Sequence, residues 1–217
     1  MSGPETKLGG RLPLAERSAL SVPQQQLFDR MTESAVPWAE SAGFQARTED
    51  GRFIGPFNPA LQSPVISGSF LAFQAAEEKN TSLTPRMRQV VILAVGAVWR
   101  SAYELYAHSA AARAAGLPDQ VVQALAAGQM PGELSAAEQA AWRFTRQLTA
   151  ERQLQQPVYD QAQAALGIQG ITDMLLLIGA YQTVCGVLNA FEIPAPEPGG
   201  MIRSIHPVPP HREGTLS

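Results

Sequence analysis

Residues 90–98 constrain the fold of this chain more than any other stretch, because they are apolar almost all round. A helix without a polar face must be buried on most sides, so other helices have to pack around it. Ser82 or Thr84 is placed to cap its N-terminus, and Pro85 suits the first turn, where a missing amide proton costs nothing. The sequence therefore predicts a central helix that begins near residue 85.

A second, alanine-rich helix is predicted over residues 101–115. It ends at Gly116-Leu117-Pro118, where glycine can adopt the left-handed conformation and proline prevents continuation. Helical spacing also covers residues 23–41, 65–80, 118–126, 135–151, 157–166 and 171–191, whereas the proline-rich residues 51–64 predict a loop without regular helix. No stretch alternates apolar and polar residues with β-branched enrichment, so the fold class is all-α.

The two ends of the chain differ from its middle in composition. Glycine, proline and polar residues dominate the N-terminus, and residues 194–217 are rich in proline without apolar periodicity. We therefore expect an irregular N-terminal segment over residues 1–22, a helical domain over 23–193 and a proline-rich tail over 194–217.

Charge and cysteine content exclude several classes of function. The net charge of −3 comes from 16 basic and 19 acidic residues that form no basic stripe, so nucleic acid is not an expected partner. No apolar run is long enough to predict a membrane span, and no signal peptide is evident, so we expect a soluble, cytoplasmic protein. Cys185 is the only cysteine, which excludes a dithiol mechanism within one chain, and its default role is that of a small buried hydrophobe.

His108 is the candidate catalytic residue. It follows Glu104 by four residues in the predicted helix, so both side chains lie on one face within contact distance. Such a pair can hold one imidazole tautomer and suits proton transfer near neutral pH. The alternative is an exposed pair that contributes only to helix stability. A metal site is not expected because further ligands are missing, and His206 and His211 lie in the tail.

Three segments together carry a family resemblance: LTPRMRQVVILAV at residues 83–95, Tyr103-Glu104-x-x-x-His108, and Ala115-Gly116-Leu117-Pro118. In them the chain resembles the carboxymuconolactone decarboxylase family of the alkylhydroperoxidase D-like superfamily, as one of its longer relatives. The resemblance implies an all-α helical bundle built around a helical hairpin. It also implies a homotrimer or homohexamer, with a pocket near the histidine helix.

The peroxidase branch of this superfamily carries Cys-x-x-Cys-x-x-x-His on that helix and a relay glutamate on the preceding one. Matched at His108, the chain has Ser101 and Glu104 in place of the two cysteines and Gln89 in place of the relay glutamate. Serine forms neither a thiolate at physiological pH nor a sulfenic acid. Thiol peroxidase activity is therefore not expected, although the superfamily as a whole is associated with peroxiredoxin activity.

The decarboxylase branch has glutamate in place of the cysteine and keeps the histidine. The resemblance then implies decarboxylation, isomerisation or lactone chemistry on a small carboxylated molecule, without metal or organic cofactor. His108 is the expected general acid or base and Glu104 orients it, while Tyr103, Arg86 and Asn58 are candidate substrate contacts. The rival hypothesis is a catalytically silent small-molecule-binding or scaffold oligomer.

Overall fold

The computed structural model describes residues 8–196, and the helices dominate this part of the chain. They are α1 (Val22–Ala42), α2 (Phe57–Ala60), α3 (Pro64–Asn80), α4 (Pro85–Trp99), α5 (Ala102–Ala114), α6 (Asp119–Ala126), α7 (Ala136–Glu151) and α8 (Gln156–Ala190). Within the described residues, the β-structure consists of a single bridge between Arg47 and Phe53. The predicted all-α fold class is therefore confirmed.

Helix α4 is the centre of the bundle. It packs against α5, α6, α7 and α8, and nine of its residues are buried, as its continuous apolar composition requires. The hydroxyl of Thr84 caps the helix by accepting a hydrogen bond from the amide of Met87 at 3.2 Å. This cap selects Thr84 from the two predicted candidates, and Pro85 follows in the first turn.

A tight connection joins α4 to α5 and sets the two helices against each other. Arg100 adopts the left-handed conformation (φ 51°), and Ser101 follows as the residue before α5. Gly96 on α4 permits the close approach, because an added Cβ would lie 3.1 Å from Leu105 and 3.3 Å from Cγ of Glu104. The hairpin therefore brings the side chains of α5 directly against α4.

The predicted loop over residues 51–64 contains one short helix, so the expectation of no regular helix there was wrong. Residues 57–60 form the single turn α2, with Pro59 in its third position. The amides of a first helical turn have no intrahelical partner, so proline is tolerated there. Similarly, Pro37 lies within α1 without ending it. The two predicted C-terminal helices join as α8, whose backbone is non-helical at Gly167 (φ 67°, ψ 178°).

The N-terminal segment is largely irregular but belongs to the core. Leu14 is buried, and the amide of Arg11 donates a hydrogen bond to the carbonyl of Phe191 at 2.7 Å. Residues 8–20 therefore pack against the end of α8, and a short 3-10 helix covers Arg17–Ala19. His206, His211 and most of the predicted proline-rich tail lie outside the described residues.

Helix α8 has the length and apolar composition of a membrane-spanning helix, in contrast to the sequence expectation. Half of its most apolar window is buried within the fold, where it packs against α4 and α7. The core helix of a soluble protein can have the same length and apolar composition. These two properties are therefore weak evidence for a membrane span.

Candidate functional site

A cavity of about 510 Å³ is lined by residues of α1, α2, α3, α4, α5 and α8. Most of its lining is apolar or aromatic and includes Trp38, Phe44, Phe57, Phe70, Val184 and Phe191. Five acidic and basic side chains interrupt this surface: Glu77, Glu78, Arg88, Glu104 and His108. An apolar cavity with a few converging polar groups is the usual form of a small-molecule site.

His108 is buried in the cavity wall and held by its neighbours. Its Nδ1 lies 2.9 Å from Oε1 of Gln89 on α4, so with this amide orientation Nδ1 carries the ring proton. The ring of Tyr181 packs edge-on at a centroid distance of 4.9 Å, and Trp38 lies at 6.0 Å. Burial, with the charge of Arg88, lowers the His108 pKa to about 3, so the imidazole is neutral at pH 7.

Glu104 lies beside His108 and is 2% exposed. Its Oε1 is 3.3 Å from Nε2 of His108, but the contact lacks the alignment of a hydrogen bond. Burial raises the Glu104 pKa to about 8, so the neutral carboxyl predominates at pH 7. The predicted i, i+4 pair is thus buried, and it places a protonated acid next to an unprotonated base.

Arg88, which sequence reasoning missed, also lines the cavity. Its Nη1 contacts both carboxylate oxygens of Glu77 on α3, and the two side chains are only 10% and 5% exposed. The available sequence signal was a charge on a helix face that continues with Val91 and Val95, both fully buried. A charge on such a face must be buried and paired.

Tyr103 lines the cavity, as expected for a substrate contact, but its hydroxyl already has a partner. It donates a hydrogen bond of 2.6 Å to the backbone carbonyl of Gln45. The backbone amide of Gln45 in turn donates to the hydroxyl of Tyr106 at 3.0 Å. Gly55 lies against the Tyr103 ring with φ 62°, where an added Cβ would be 2.2 Å from Cζ. The Tyr103 ring is therefore a fixed part of the wall.

Two other predicted substrate contacts, Arg86 and Asn58, do not line the cavity. Arg86 points elsewhere, with Nε 3.1 Å from Glu138 and Nη1 donating to the carbonyl of Gly116 at 2.7 Å. Asn58 accepts a hydrogen bond from the amide of Ala15 at 3.0 Å and donates to backbone carbonyls of the N-terminal segment. Both side chains thus have structural partners, and the position expected of Arg86 is occupied by Arg88.

The positions that match the peroxidase cysteines lie next to the lone thiol. Ser101 is fully buried, and the thiol of Cys185 is the polar group near its hydroxyl. Cys185 on α8 is near both Ser101 and Glu104, and burial raises its pKa, which disfavours the thiolate. The predicted burial of Cys185 is confirmed, but its place beside the candidate site had no signal in the sequence. Within residues 8–196, no group of three possible metal ligands occurs.

The fold and the site define a class of helical proteins with a small-molecule cavity beside a histidine on the second helix of a hairpin. The model of the carboxymuconolactone decarboxylase family matches residues 67–147, which include α4, α5 and His108. Residues 67–147 thus match the carboxymuconolactone decarboxylase family that the resemblance implied, and solved AhpD-like structures share the fold. No curated protein matches the sequence.

Several solved structures share the fold of this chain. An uncharacterized peroxidase-related protein with an AhpD core from Ralstonia eutropha is 16% identical, with 86% of this chain and 92% of that chain covered and a TM-score of 0.66. A peroxidase-related protein from Silicibacter is 17% identical over 90% and 95%, with a TM-score of 0.63. The debrominase Bmp8 in complex with 2,3,4-tribromopyrrole is 13% identical over 84% and 90%, with a TM-score of 0.65. At such identities the likeness shows the fold alone.

Proposed function

We propose that this protein catalyses proton transfer on a small unsaturated molecule bound in the cavity, with His108 as the base and Glu104 as the acid. The observation that carries the proposal is the burial of this pair in the wall of a 510 Å³ cavity, with 3.3 Å between Oε1 and Nε2. An acid and a base with oppositely shifted pKa values are typical of catalytic sites.

Isomerisation of an unsaturated lactone illustrates the chemistry. Nε2 of His108 removes a proton from the carbon next to the carbonyl, and the electron pair moves into a conjugated enolate. Glu104 then protonates the far end of this enolate, and the resulting carboxylate recovers the proton from the imidazolium. No electron is gained or lost overall, so this reaction needs no redox partner.

Gln89 and Arg88 support this assignment of roles. Gln89 holds the tautomer in which Nδ1 carries the proton and Nε2 has a free lone pair. The charge of Arg88 disfavours a permanently protonated His108. The resemblance implies a substrate with a carboxylate. This stays a prediction, and the acidic groups that line the cavity argue against it.

The test is the substitution His108→Gln, with isomerisation of a β,γ-unsaturated five-membered lactone followed by ultraviolet absorbance. We expect kcat/KM to fall by roughly 100-fold or more, because general base catalysis contributes that much. Glu133→Gln is a matched control, since Glu133 is exposed and bonded to Gln120 outside the cavity. Unchanged turnover in His108→Gln would refute the role of His108 as the base. Absence of turnover in the wild type, with only thermal stability altered in His108→Gln, would instead support a silent binding or scaffold protein.

We also propose that the protein assembles as a homo-oligomer. Val65 and Ile66 on α3 are 77% and 72% exposed, and α8 exposes Ile168, Leu175 and Leu176. Apolar side chains grouped on two helices favour a protein interface over solvent. Sedimentation velocity at micromolar concentration is expected to show a trimer or hexamer, and a monomer would refute the proposal.

A further inference from the structure

The ionisable groups around the cavity carry information about the charge of its ligand. Among the residues that the structure describes, the acidic and basic groups of the lining are Glu77, Glu78, Arg88, Glu104 and His108. Arg88 is the one cation of this set, since burial keeps His108 neutral. Three carboxyl groups therefore face a single guanidinium.

The charge of Arg88 is already neutralised. Its Nη1 contacts both oxygens of Glu77, and neither side chain is more than 10% exposed. A ligand carboxylate would have to compete with this buried ion pair for the guanidinium. It would also approach Glu78, which carries a second acidic group in the same lining. Removing a carboxylate from water without a free partner is costly.

The remaining surface is suited to a neutral ring. Aromatic side chains from several elements surround the cavity, among them Trp38, Phe44, Phe70 and Tyr181. Flat rings pack well against such walls by edge-on or offset contacts, as Trp38 and Phe44 do at a centroid distance of 5.1 Å. The His108–Glu104 pair supplies both a hydrogen-bond acceptor and a donor for one polar group of the ligand.

We infer that the cavity selects neutral, planar, unsaturated molecules with one polar group and rejects their carboxylates. The inference rests on the proposed function for the assignment of the site, and it narrows the reaction class. Isomerisation or lactone chemistry on an uncharged substrate is favoured, whereas decarboxylation requires an anionic substrate in a cavity without a free cation.

The experiment compares two probes of nearly equal shape, benzamide and benzoate, by isothermal titration calorimetry of the full chain at pH 7. In the wild type we expect benzamide to bind at least about 10-fold more tightly than benzoate. In Glu77→Gln the guanidinium loses its counter-charge, so benzoate affinity is expected to rise at least about 10-fold while benzamide affinity changes little. Glu133→Gln, outside the cavity, is expected to leave both affinities unchanged.

A second variant protects the test against misfolding of Glu77→Gln. Glu78→Gln removes a negative charge from the lining but leaves the pair between Arg88 and Glu77 intact, so a smaller gain in benzoate affinity is expected. Equal or tighter binding of benzoate by the wild type would overturn the inference, as would failure of both probes to bind at millimolar concentration.

The binding experiment and the test of the proposed function can fail independently of each other. If His108→Gln keeps full lactone turnover while benzamide is still preferred, the proton-transfer role fails and the charge selectivity stands. If benzoate is preferred while His108→Gln is inactive, the selectivity fails and the catalytic pair stands.

Discussion

Helices α3 and α5 both line the cavity, but they differ in how firmly the fold holds them. Six of the 13 residues of α5 are buried, including Tyr103, Glu104 and His108. None of the 17 residues of α3 is buried as a whole, although the side chain of Glu77 is, and the helix packs mainly against α1 and α8. The chemical groups thus lie on the rigid wall, whereas the opposite wall is loosely packed.

The ion pair between Glu77 and Arg88 is a buried connection between the loose wall and the core. It joins the C-terminal part of α3 to α4, where Arg88 is buried among apolar residues. The comparison teaches that α3 combines this buried polar contact with partly buried apolar side chains such as Phe70 and Leu71, whereas α5 contributes six buried residues to the fold. Three substitutions test this difference, ordered from the largest expected change in unfolding free energy to the smallest, with the last change taken per pH unit.

The largest effect is expected from Arg88→Met. Loss of the guanidinium leaves Glu77 with a buried and unpaired carboxylate, which costs about 3–5 kcal/mol of unfolding free energy. Urea denaturation measures the loss, and hydrogen exchange is expected to show the amides of α3 exposed before those of α4. Arg113→Met is the matched control, because its ion pair with Asp119 is 45% and 73% exposed. Equal costs for the two variants would mean that the buried pair does not anchor α3.

Gly55→Ala tests the rigidity of the α5 wall. The new Cβ would lie 2.2 Å from the Tyr103 ring, which its own hydrogen bond to Gln45 holds in place. We expect a cost of about 1–3 kcal/mol beyond that of Gly43→Ala, since overpacking of a fixed core has this magnitude. Gly43 is a matched control because it also has positive φ but nothing within 4 Å of an added Cβ. Equal denaturation midpoints would show that Tyr103 yields easily and that this wall is soft.

Glu104→Gln tests the protonation of the buried acid. The Glu104 pKa rises on folding from 4.5 to about 8, so the folded state holds its proton more tightly. The wild type is then favoured below pH 4.5 and loses stability relative to the variant as the pH rises to 8. The slope is at most roughly 1.4 kcal/mol per pH unit. A stability difference independent of pH would contradict a raised pKa of Glu104 in the folded state.

Local sequence rules predicted much of the hairpin that carries the site. The apolar run after Pro85 required a buried helix, and the spacing of Glu104 and His108 placed both on one face. These inferences needed only contacts within one helix or between chain neighbours. The same rules left open whether the pair was exposed or buried, because burial depends on helices distant in sequence.

Long-range partners account for what sequence reasoning missed. Arg88 was passed over for its neighbour Arg86, although its helix face indicated burial. Its partner Glu77 lies on α3, and no local rule identifies that partner. Cys185 lies about 80 residues after Glu104, and no spacing rule connects them. The contact of Trp38 on α1 with His108 could not be predicted for the same reason.

The sequence by itself determined the all-α class, the buried central helix and the one face shared by Glu104 and His108. These follow from periodicity, capping and proline chemistry, which act over a few residues. Only the tertiary structure decided the cavity, the neutral state of the pair and the pairing of Arg88 with Glu77. Desolvation and ion pairing depend on which side chains meet across helices, and this information is not local to any segment of the chain.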